Sequence, residues 1–201
     1  MTLDALLAHP DVARLARALA QTPGKEFQPE PTARLAAIVL VLRLGSLREP
    51  ELLMIKRAEA ERDPWSGHIA CPGGRMEPAD ASLADTAVRE TLEETGIDLR
   101  RVGRVLGTLD DLSPRTPVLP AIMIRPFVAG VPSSVELVSS PEVAAAFWVP
   151  LSALREGSAW GMGTVKVRGV DREESTFVHG EYTVWGLTER VLRQLLERMD
   201  A

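Results

Sequence analysis

Apolar residues recur at the spacing of an amphipathic helix near both ends of the chain. At the N-terminus the pattern covers residues 3–20, but Pro10 falls inside it, so it predicts either one interrupted helix or two short ones. Residues 21–33 are polar and rich in proline, which is typical of a linker over the surface. We expect this arm to serve packing or dimer contact. Residues 187–199 predict a final helix, whose apolar side holds Leu187, Val191, Leu192, Leu195 and Leu196.

Between these helices lie short apolar runs bounded by turn residues, which predict β-strands. Residues 34–43 and 51–57 flank a turn and are expected to pair as a hairpin. Further strands are predicted over 68–71, 102–109, 120–128, 134–138 and the end of 141–151, followed by a short helix over 151–155 and a hairpin of 163–169 with 175–182. Strands that alternate with a few helices indicate an α/β or α+β sandwich.

One further helix is predicted in the middle of the chain, after a Gly-Gly turn at residues 73–74. Asp80 or Ser82 can cap its N-terminus, and Gly96 ends it. The turn lets the backbone approach a ligand closely, and a carbonyl of this turn is a candidate metal ligand.

The same helix carries three carboxylates on one face. At about 100° per residue, Glu90, Glu93 and Glu94 fall within an arc of roughly 100°. We place the less polar residues on the opposite arc, facing a core: Leu83, Ala84, Ala87, Val88, Thr91 and Leu92. Carboxylates so close together repel one another, so we expect Arg89 and a hard divalent cation such as Mg²⁺ to offset their charge.

Composition narrows the function classes. Hydrophobic residues make up 45% and charged residues 25% of the 201, as in an ordinary soluble protein of one domain with a sizeable core. The net charge of −5 argues against a nucleic-acid partner, and no apolar run approaches the ~20 residues that span a bilayer. A single cysteine and the lack of a signal-peptide pattern at the start favour the cytoplasm.

The central helix closely resembles the Nudix box, the signature of the Nudix hydrolases. Its second half is present as Arg89-Glu90, Glu93-Glu94 and Gly96-Ile97, with Thr91 in place of an aliphatic residue. The resemblance implies a mixed β-sheet sandwiched between α-helices, in a Nudix domain over 34–201 preceded by a helical arm and linker over 1–33. It also implies an enzyme that hydrolyses a pyrophosphate linkage with a metal-activated water.

Site residues follow from this resemblance. It implies Glu90, Glu93 and Glu94 as ligands of Mg²⁺ or Mn²⁺, with the Gly74 carbonyl as a further candidate. Arg89 is expected to pair with a glutamate and orient it, so that Glu93, Arg89 and Glu90 carry the catalysis. Glu93 follows Arg89 by four positions, within pairing reach on one helix.

The first half of the box departs from the family pattern. One extra residue between Gly74 and Arg89 restores the expected glycine, but no glutamate stands at the early acidic position. Glu77 or Asp80 is then the candidate for that position.

An upstream segment is similar to a second motif, found in Nudix hydrolases that act on coenzyme A. The residues are Leu52-Leu53-Met54-Ile55-Lys56-Arg57-Ala58, then Arg62, Gly67 and Cys71-Pro72-Gly73-Gly74. Ile55 replaces Thr, and Cys71 replaces Phe; we expect Cys71 to be a buried packing residue. The similarity implies coenzyme A or an acyl derivative as the substrate, a small-molecule partner.

Substrate contacts are expected around the same segment. Arg57 and Arg62 can clamp phosphates through bidentate hydrogen bonds, or they are ordinary surface charges. Gly73 would approach the substrate through its backbone, while His68 either touches the substrate or only packs. Glu181, outside the box, is a possible water-activating base.

Two alternatives to coenzyme A hydrolysis stay open. The first is a Nudix hydrolase of another nucleoside diphosphate derivative, such as a nucleotide sugar, or of a nucleoside triphosphate. The second is a sensing module that binds a nucleotide without catalysis, against which the complete set of Glu90, Glu93 and Glu94 argues. A homodimer is also left open.

Overall fold

The computed structural model describes residues 1–60, 65–114, 121–167 and 169–201. In chain order its elements are α1 (Leu3–Leu7), α2 (Pro10–Gln21), β1 (Arg34–Leu44), β2 (Pro50–Arg57), β3 (Ile69–Ala70), β4 (Gly73–Arg75), α3 (Leu83–Thr95), α4 (Leu99–Val102), β5 (Arg104–Thr108), β6 (Ile122–Gly130), β7 (Val143–Pro150), α5 (Leu151–Arg155), a 3₁₀ turn (Gly157–Ala159), β8 (Trp160–Val167), β9 (Val170–His179), β10 (Tyr182–Trp185) and α6 (Gly186–Asp200).

The described residues form a seven-stranded mixed sheet at the centre of the molecule. Five strands run in the order β3-β2-β1-β6-β5, while β4 pairs with β1 and β7 pairs with β2. The predicted β1–β2 hairpin is confirmed as an antiparallel pair. On its other edge β1 runs parallel to β6, in register from Arg34↔Ile122 to Leu42↔Gly130.

Helices cover both faces of this sheet. Successive side chains of β1 point to opposite faces, so each face has its own hydrophobic core. Leu40 and Leu42 belong to the larger core, to which α1, α2, α5, α6 and a second sheet of order β10-β9-β8 contribute. Val39 and Val41 belong to the smaller core, which α3 and α4 complete. The predicted sandwich of a mixed sheet between helices is therefore confirmed.

The N-terminal arm contains two helices, the second of the two predicted alternatives. Pro10 begins α2, a position where the missing N–H breaks no helical bond, and the His9 ring accepts a hydrogen bond from the Asp11 N–H at 3.4 Å. The arm packs into the larger core through fully buried side chains: Leu6, Val12, Leu15 and Leu19. A domain boundary after residue 33 stays a prediction.

The predicted strand over residues 134–138 is wrong. The Val138 N–H bonds to the Thr95 carbonyl at 2.9 Å, and the Ser140 N–H bonds to the Glu94 carbonyl at 3.3 Å. These backbone groups therefore satisfy the C-terminal end of α3 instead of pairing with another strand.

The predicted hairpin of 163–169 with 175–182 has the wrong boundaries. β8 pairs with β9 from Trp160↔Phe177 to Val167↔Val170, and a second tight turn at Gly180 leads into β10. The start of β9 was missed because Val170 to Glu173 are all exposed and three of these four residues are charged, so they show no alternation of buried and exposed positions.

The C-terminal helix is confirmed, and α6 is one residue longer than predicted at each end. Within the described ranges, no helix is both long and apolar enough to cross a membrane. The strand predicted from residue 102 begins later, since Leu99–Val102 forms the short helix α4 and β5 starts at Arg104.

Candidate active site

Helix α3 lies with Glu90 and Glu94 toward the glycine turn, while the Glu93 side chain is exposed. The Ser82 side chain accepts a hydrogen bond from the Asp85 N–H, and Gly96 ends the helix in the left-handed conformation with φ of 74°. Glu94 is only 4% exposed, whereas Leu92 is 44% exposed. The expectation that Leu92 and Ala84 face a core is therefore wrong, since both are exposed. It is confirmed for Leu83, Ala87 and Val88, which pack in the smaller core, and for Thr91, which is buried.

Arg89 lies at the centre of the hydrogen-bond network of the site. All five of its N–H donors have acceptors. It donates to Asp80 at 3.0 and 2.9 Å and to the Arg75 carbonyl at 2.9 Å. The other Nη donates at 3.0 Å both to Glu90 and to Glu93. The structure thus brings together three residues that the sequence assigned to one site, and Arg89 fixes the carboxylates of two of them.

Asp80, and not Glu77, is the early acidic residue in contact with Arg89. Its side chain is 5% exposed and also accepts from the Glu77 N–H at 2.9 Å and from the Thr86 hydroxyl at 3.0 Å. The Arg89 guanidinium and the Glu77 N–H hold the pKa of Asp80 well below its usual range. Glu77 itself is exposed and contributes its backbone to this arrangement.

Glu94 is held in a buried position between the glycine turn and β2. One carboxylate oxygen accepts from the Gly73 N–H at 2.8 Å, and the other lies 3.7 Å from an Nη of Arg57. Burial raises the pKa of Glu94 to about 7; the Gly73 N–H and Arg57 lower it, while the charges of Glu90 and Glu142 raise it. The ionised form of Glu94 is therefore disfavoured in the folded protein.

Glu90 occupies the space that a side chain at Gly74 would fill. A Cβ atom on Gly74 would lie 2.3 Å from Glu90 Oε1, so only glycine allows the carboxylate to rest against the backbone there. Partial burial raises the pKa of Glu90, an effect opposed by Arg89 and reinforced by the nearby charges of Glu93 and Glu142.

A hard divalent cation fits this donor set. Across the described ranges no three acidic, histidine or cysteine side chains already converge as a metal cage, because Arg89 draws Glu93 outward while Glu94 turns to Gly73. Even so, Glu90 and Glu94 are carboxylates that burial and mutual repulsion destabilise. Mg²⁺ and Mn²⁺ prefer such oxygen ligands, and their charge would relieve that repulsion.

Glu142 is a candidate residue that the sequence did not reveal. It is exposed and directly precedes β7, and its carbonyl accepts a hydrogen bond from the Ala58 N–H at 2.8 Å. Its charge raises the pKa of both Glu90 and Glu94. Only the pairing of β7 with β2 brings it to the site, and that pairing is not encoded in any local motif.

The remaining predicted residues have different surroundings. The His68 ring lies 4.5 Å from the Trp185 ring, next to β3. Glu181 is exposed in the β9–β10 turn, and the strands beside it pack on the face of the main sheet opposite α3. Arg62 lies outside the described residues. Cys71 is buried as predicted, and burial raises the pKa of its thiol to about 12.

Comparisons with known proteins agree with this fold and site. The model of the NUDIX domain family matches residues 32–166. A protein named Nudix hydrolase NudL from Photorhabdus laumondii is 34% identical over 153 residues, which cover 76% of this chain and 79% of that protein. Its namesake from Yersinia enterocolitica is 29% identical over 177 residues, covering 86% and 88%.

Solved structures show the same fold at low sequence identity. A MutT/nudix family protein from Enterococcus faecalis superposes with a TM-score of 0.57 and 16% identity, covering 94% of this chain and 69% of that one. A NUDIX hydrolase from Alicyclobacillus acidocaldarius gives a TM-score of 0.53 and 20% identity, covering 86% and 98%. With this fold, the family match and the carboxylates assembled around Arg89, the chain belongs to the Nudix hydrolases.

Proposed function

We propose that this Nudix hydrolase is a metal-dependent pyrophosphatase that cleaves coenzyme A or an acyl derivative. The products would be a phosphopantetheine and adenosine 3′,5′-bisphosphate. The observation that carries the metal dependence is the juxtaposition of Glu90 and Glu94, two carboxylates whose charges burial disfavours. Support for the substrate comes from the segment from Leu52 to Gly74, which is similar to the motif of coenzyme A hydrolases.

In this proposal Glu90, Glu93 and Glu94, with the Gly74 carbonyl, hold Mg²⁺ or Mn²⁺. The bound metal would neutralise phosphate oxygens and lower the pKa of a water molecule. Arg89 keeps Glu90 and Glu93 in place through its two hydrogen bonds.

In this proposal the substrate is positioned by residues next to the carboxylates of Glu90 and Glu94. Arg57, with its side chain 27% exposed beside Glu94, donates to the phosphates. A phosphate contact by Arg62, which lies outside the described residues, stays a prediction from the sequence. The glycine turn at Gly73 lets the backbone approach the pyrophosphate. His68, whose carbonyl accepts from the Arg57 N–H at 3.0 Å, is proposed as a further substrate contact.

The proposed mechanism also needs an acceptor for the proton of the attacking water. We assign this role to Glu142, because it is exposed and its charge already acts on Glu90 and Glu94. Glu181 is the matched comparison, since it is also exposed but lies on the opposite side of the sheet. Glu142→Gln should lower kcat strongly, whereas Glu181→Gln should leave kcat within twofold.

The test of the proposed function has two parts. A panel of coenzyme A, acyl-coenzyme A, ADP-ribose, nucleotide sugars and nucleoside triphosphates, each with Mg²⁺ or Mn²⁺, identifies the substrate. Glu93→Gln should lower turnover by several orders of magnitude and weaken metal binding measured by calorimetry, while circular dichroism shows the fold intact. Preferred cleavage of a nucleotide sugar or triphosphate would refute the coenzyme A assignment, and full activity of Glu93→Gln would refute the metal site.

A further inference from the structure

A cleft of about 530 Å³ lies between the N-terminal linker and the start of β6. Its volume falls within the range of small-molecule binding sites. The exposed ring of Phe27 and the side chain of Met123 supply apolar surface, and Glu26 and Glu30 supply carboxylates. The described lining residues therefore offer hydrogen-bond acceptors and apolar contacts, and none of them is a basic side chain that could pair with a phosphate.

The wall formed by the linker is fastened to the body of the protein. The Lys25 N–H donates to Asp110 at 3.0 Å, and the Phe27 N–H donates to Asp111 at 2.9 Å. Arg125 of β6 completes this attachment, since it donates to both oxygens of Asp111 at 2.9 Å and lies 3.1 Å from Glu26. Phe27 is thus held in place by its backbone while its ring is 45% exposed.

The cleft opens on the same side of the sheet as the carboxylate cluster. Gly74 pairs with Ala37 of β1, and Ala37 pairs with Arg125 of β6, so the three residues form one row across the sheet. Residues that pair in this way point to the same face, and here that face carries α3. With strands about 4.8 Å apart, Arg125 lies about 10 Å from Gly74 along the row. Met123 of the cleft wall is two residues from Arg125 on β6, on the same face and about 7 Å further along the strand. A ligand anchored at Gly74 by its pyrophosphate can therefore reach the cleft.

Charge decides which half of the substrate suits this cleft. In coenzyme A the adenosine half carries an additional 3′-phosphate, whereas the pantetheine arm is neutral and presents amide N–H donors. We propose that the linker cleft is the subsite for the pantetheine arm, with Phe27 and Met123 against its apolar parts and the Glu26 and Glu30 carboxylates accepting from its amides. This inference rests on the proposed coenzyme A hydrolysis and adds the orientation of the substrate.

Phe27→Ala tests the subsite, because it removes the ring and keeps the backbone N–H that binds Asp111. Its KM for coenzyme A should rise about tenfold with kcat unchanged, the effect of losing about 1.4 kcal/mol of contact. Its KM for ADP-ribose, which lacks the pantetheine arm, should stay within twofold. The control is Leu47→Ala, an 87% exposed side chain in the β1–β2 turn, which should change neither value.

Calorimetry with 4′-phosphopantetheine supplies a readout that needs no turnover. Phe27→Ala should weaken this binding by a similar factor, and unchanged binding would refute the subsite. Equal increases in KM for coenzyme A and ADP-ribose would instead place the adenosine half in the cleft, as would a lower KM of Glu30→Gln for coenzyme A but not for its 3′-dephospho form. If the wild-type chain cleaves ADP-ribose and not coenzyme A, the proposed function fails, and the calorimetry alone decides whether the cleft binds the arm.

Discussion

Glu94→Gln should stabilise the metal-free protein at alkaline pH, although it removes a proposed metal ligand. Glutamine keeps the shape of the side chain and an oxygen that can accept from the Gly73 N–H. It removes a charge that is 4% exposed and that lies near Glu90 and Glu142. Removing a buried like charge relieves both desolvation and repulsion.

The size of the effect follows from the pKa of Glu94. Its folded pKa is raised to about 7 from an ordinary 4.5, so between these two pH values the folded state binds a proton that the unfolded state has lost. The free energy of unfolding therefore falls as pH rises through this window, by about 1.4 kcal/mol per unit. Over about 2.5 units the wild-type protein loses on the order of 3 kcal/mol, and Glu94→Gln escapes this loss.

Urea unfolding of the metal-free proteins at pH 4.5 and pH 8.5 measures the difference. Glu94→Gln and wild type should agree closely at the lower pH and differ by on the order of 3 kcal/mol at the higher one. Glu93→Gln is the control, because its side chain is 56% exposed and little burial is relieved. A difference between Glu94→Gln and wild type that is the same at both pH values would refute the reasoning. Added Mg²⁺ should reverse the order at pH 8.5 by stabilising the wild type more.

Two further substitutions and one chemical modification test the residues around the carboxylate cluster. Asp80→Asn should lower the free energy of unfolding by about 1.5–3 kcal/mol at pH 7, and the deficit should vanish as pH falls below about 4 and through the depressed pKa of Asp80, as measured by urea unfolding across that range. Gly74→Ala should displace Glu90 and raise the Kd for Mg²⁺ at least tenfold in calorimetry, and an unchanged Kd would contradict the assigned site. Cys71 should react with iodoacetamide at pH 8 about 10³-fold more slowly in the folded than in the unfolded protein, as followed by mass spectrometry.

The central part of the site could be predicted from sequence because it is local. Arg89 and Glu93 stand four positions apart on one helix, and the structure shows them 3.0 Å apart. The choice between Glu77 and Asp80 could not be made in advance, since it depends on how an irregular loop folds back onto Arg89. Glu142 was missed for a stronger reason: the pairing of β7 with β2 brings it to the site from far along the chain.

The side of α3 that faces the protein interior could not be predicted from sequence, for a different reason. A helical wheel gives the directions of side chains relative to one another, but the partner surface decides which sector is buried. Here Gly73 and Gly74 leave room under the helix for carboxylates, so Glu94 is buried and Leu92 faces outward. The strand over 134–138 failed similarly, because an apolar pattern does not reveal that its backbone will bond to the end of a helix.

The two strands that flank β1 are far apart in sequence, and this affects the risk of aggregation during synthesis. β2 follows β1 directly, whereas β6 is synthesised much later. β1 is an apolar strand of eleven residues, and among the described residues the parallel strand β6 is the one that pairs along one of its edges. At about 5–20 residues per second, the ribosome needs roughly 4–17 s to proceed from the end of β1 to the end of β6. Throughout that interval a long hydrophobic edge has no native partner and can pair with another nascent chain. The strand that supports the glycine turn is therefore also the segment from which aggregation of the newly made protein would start.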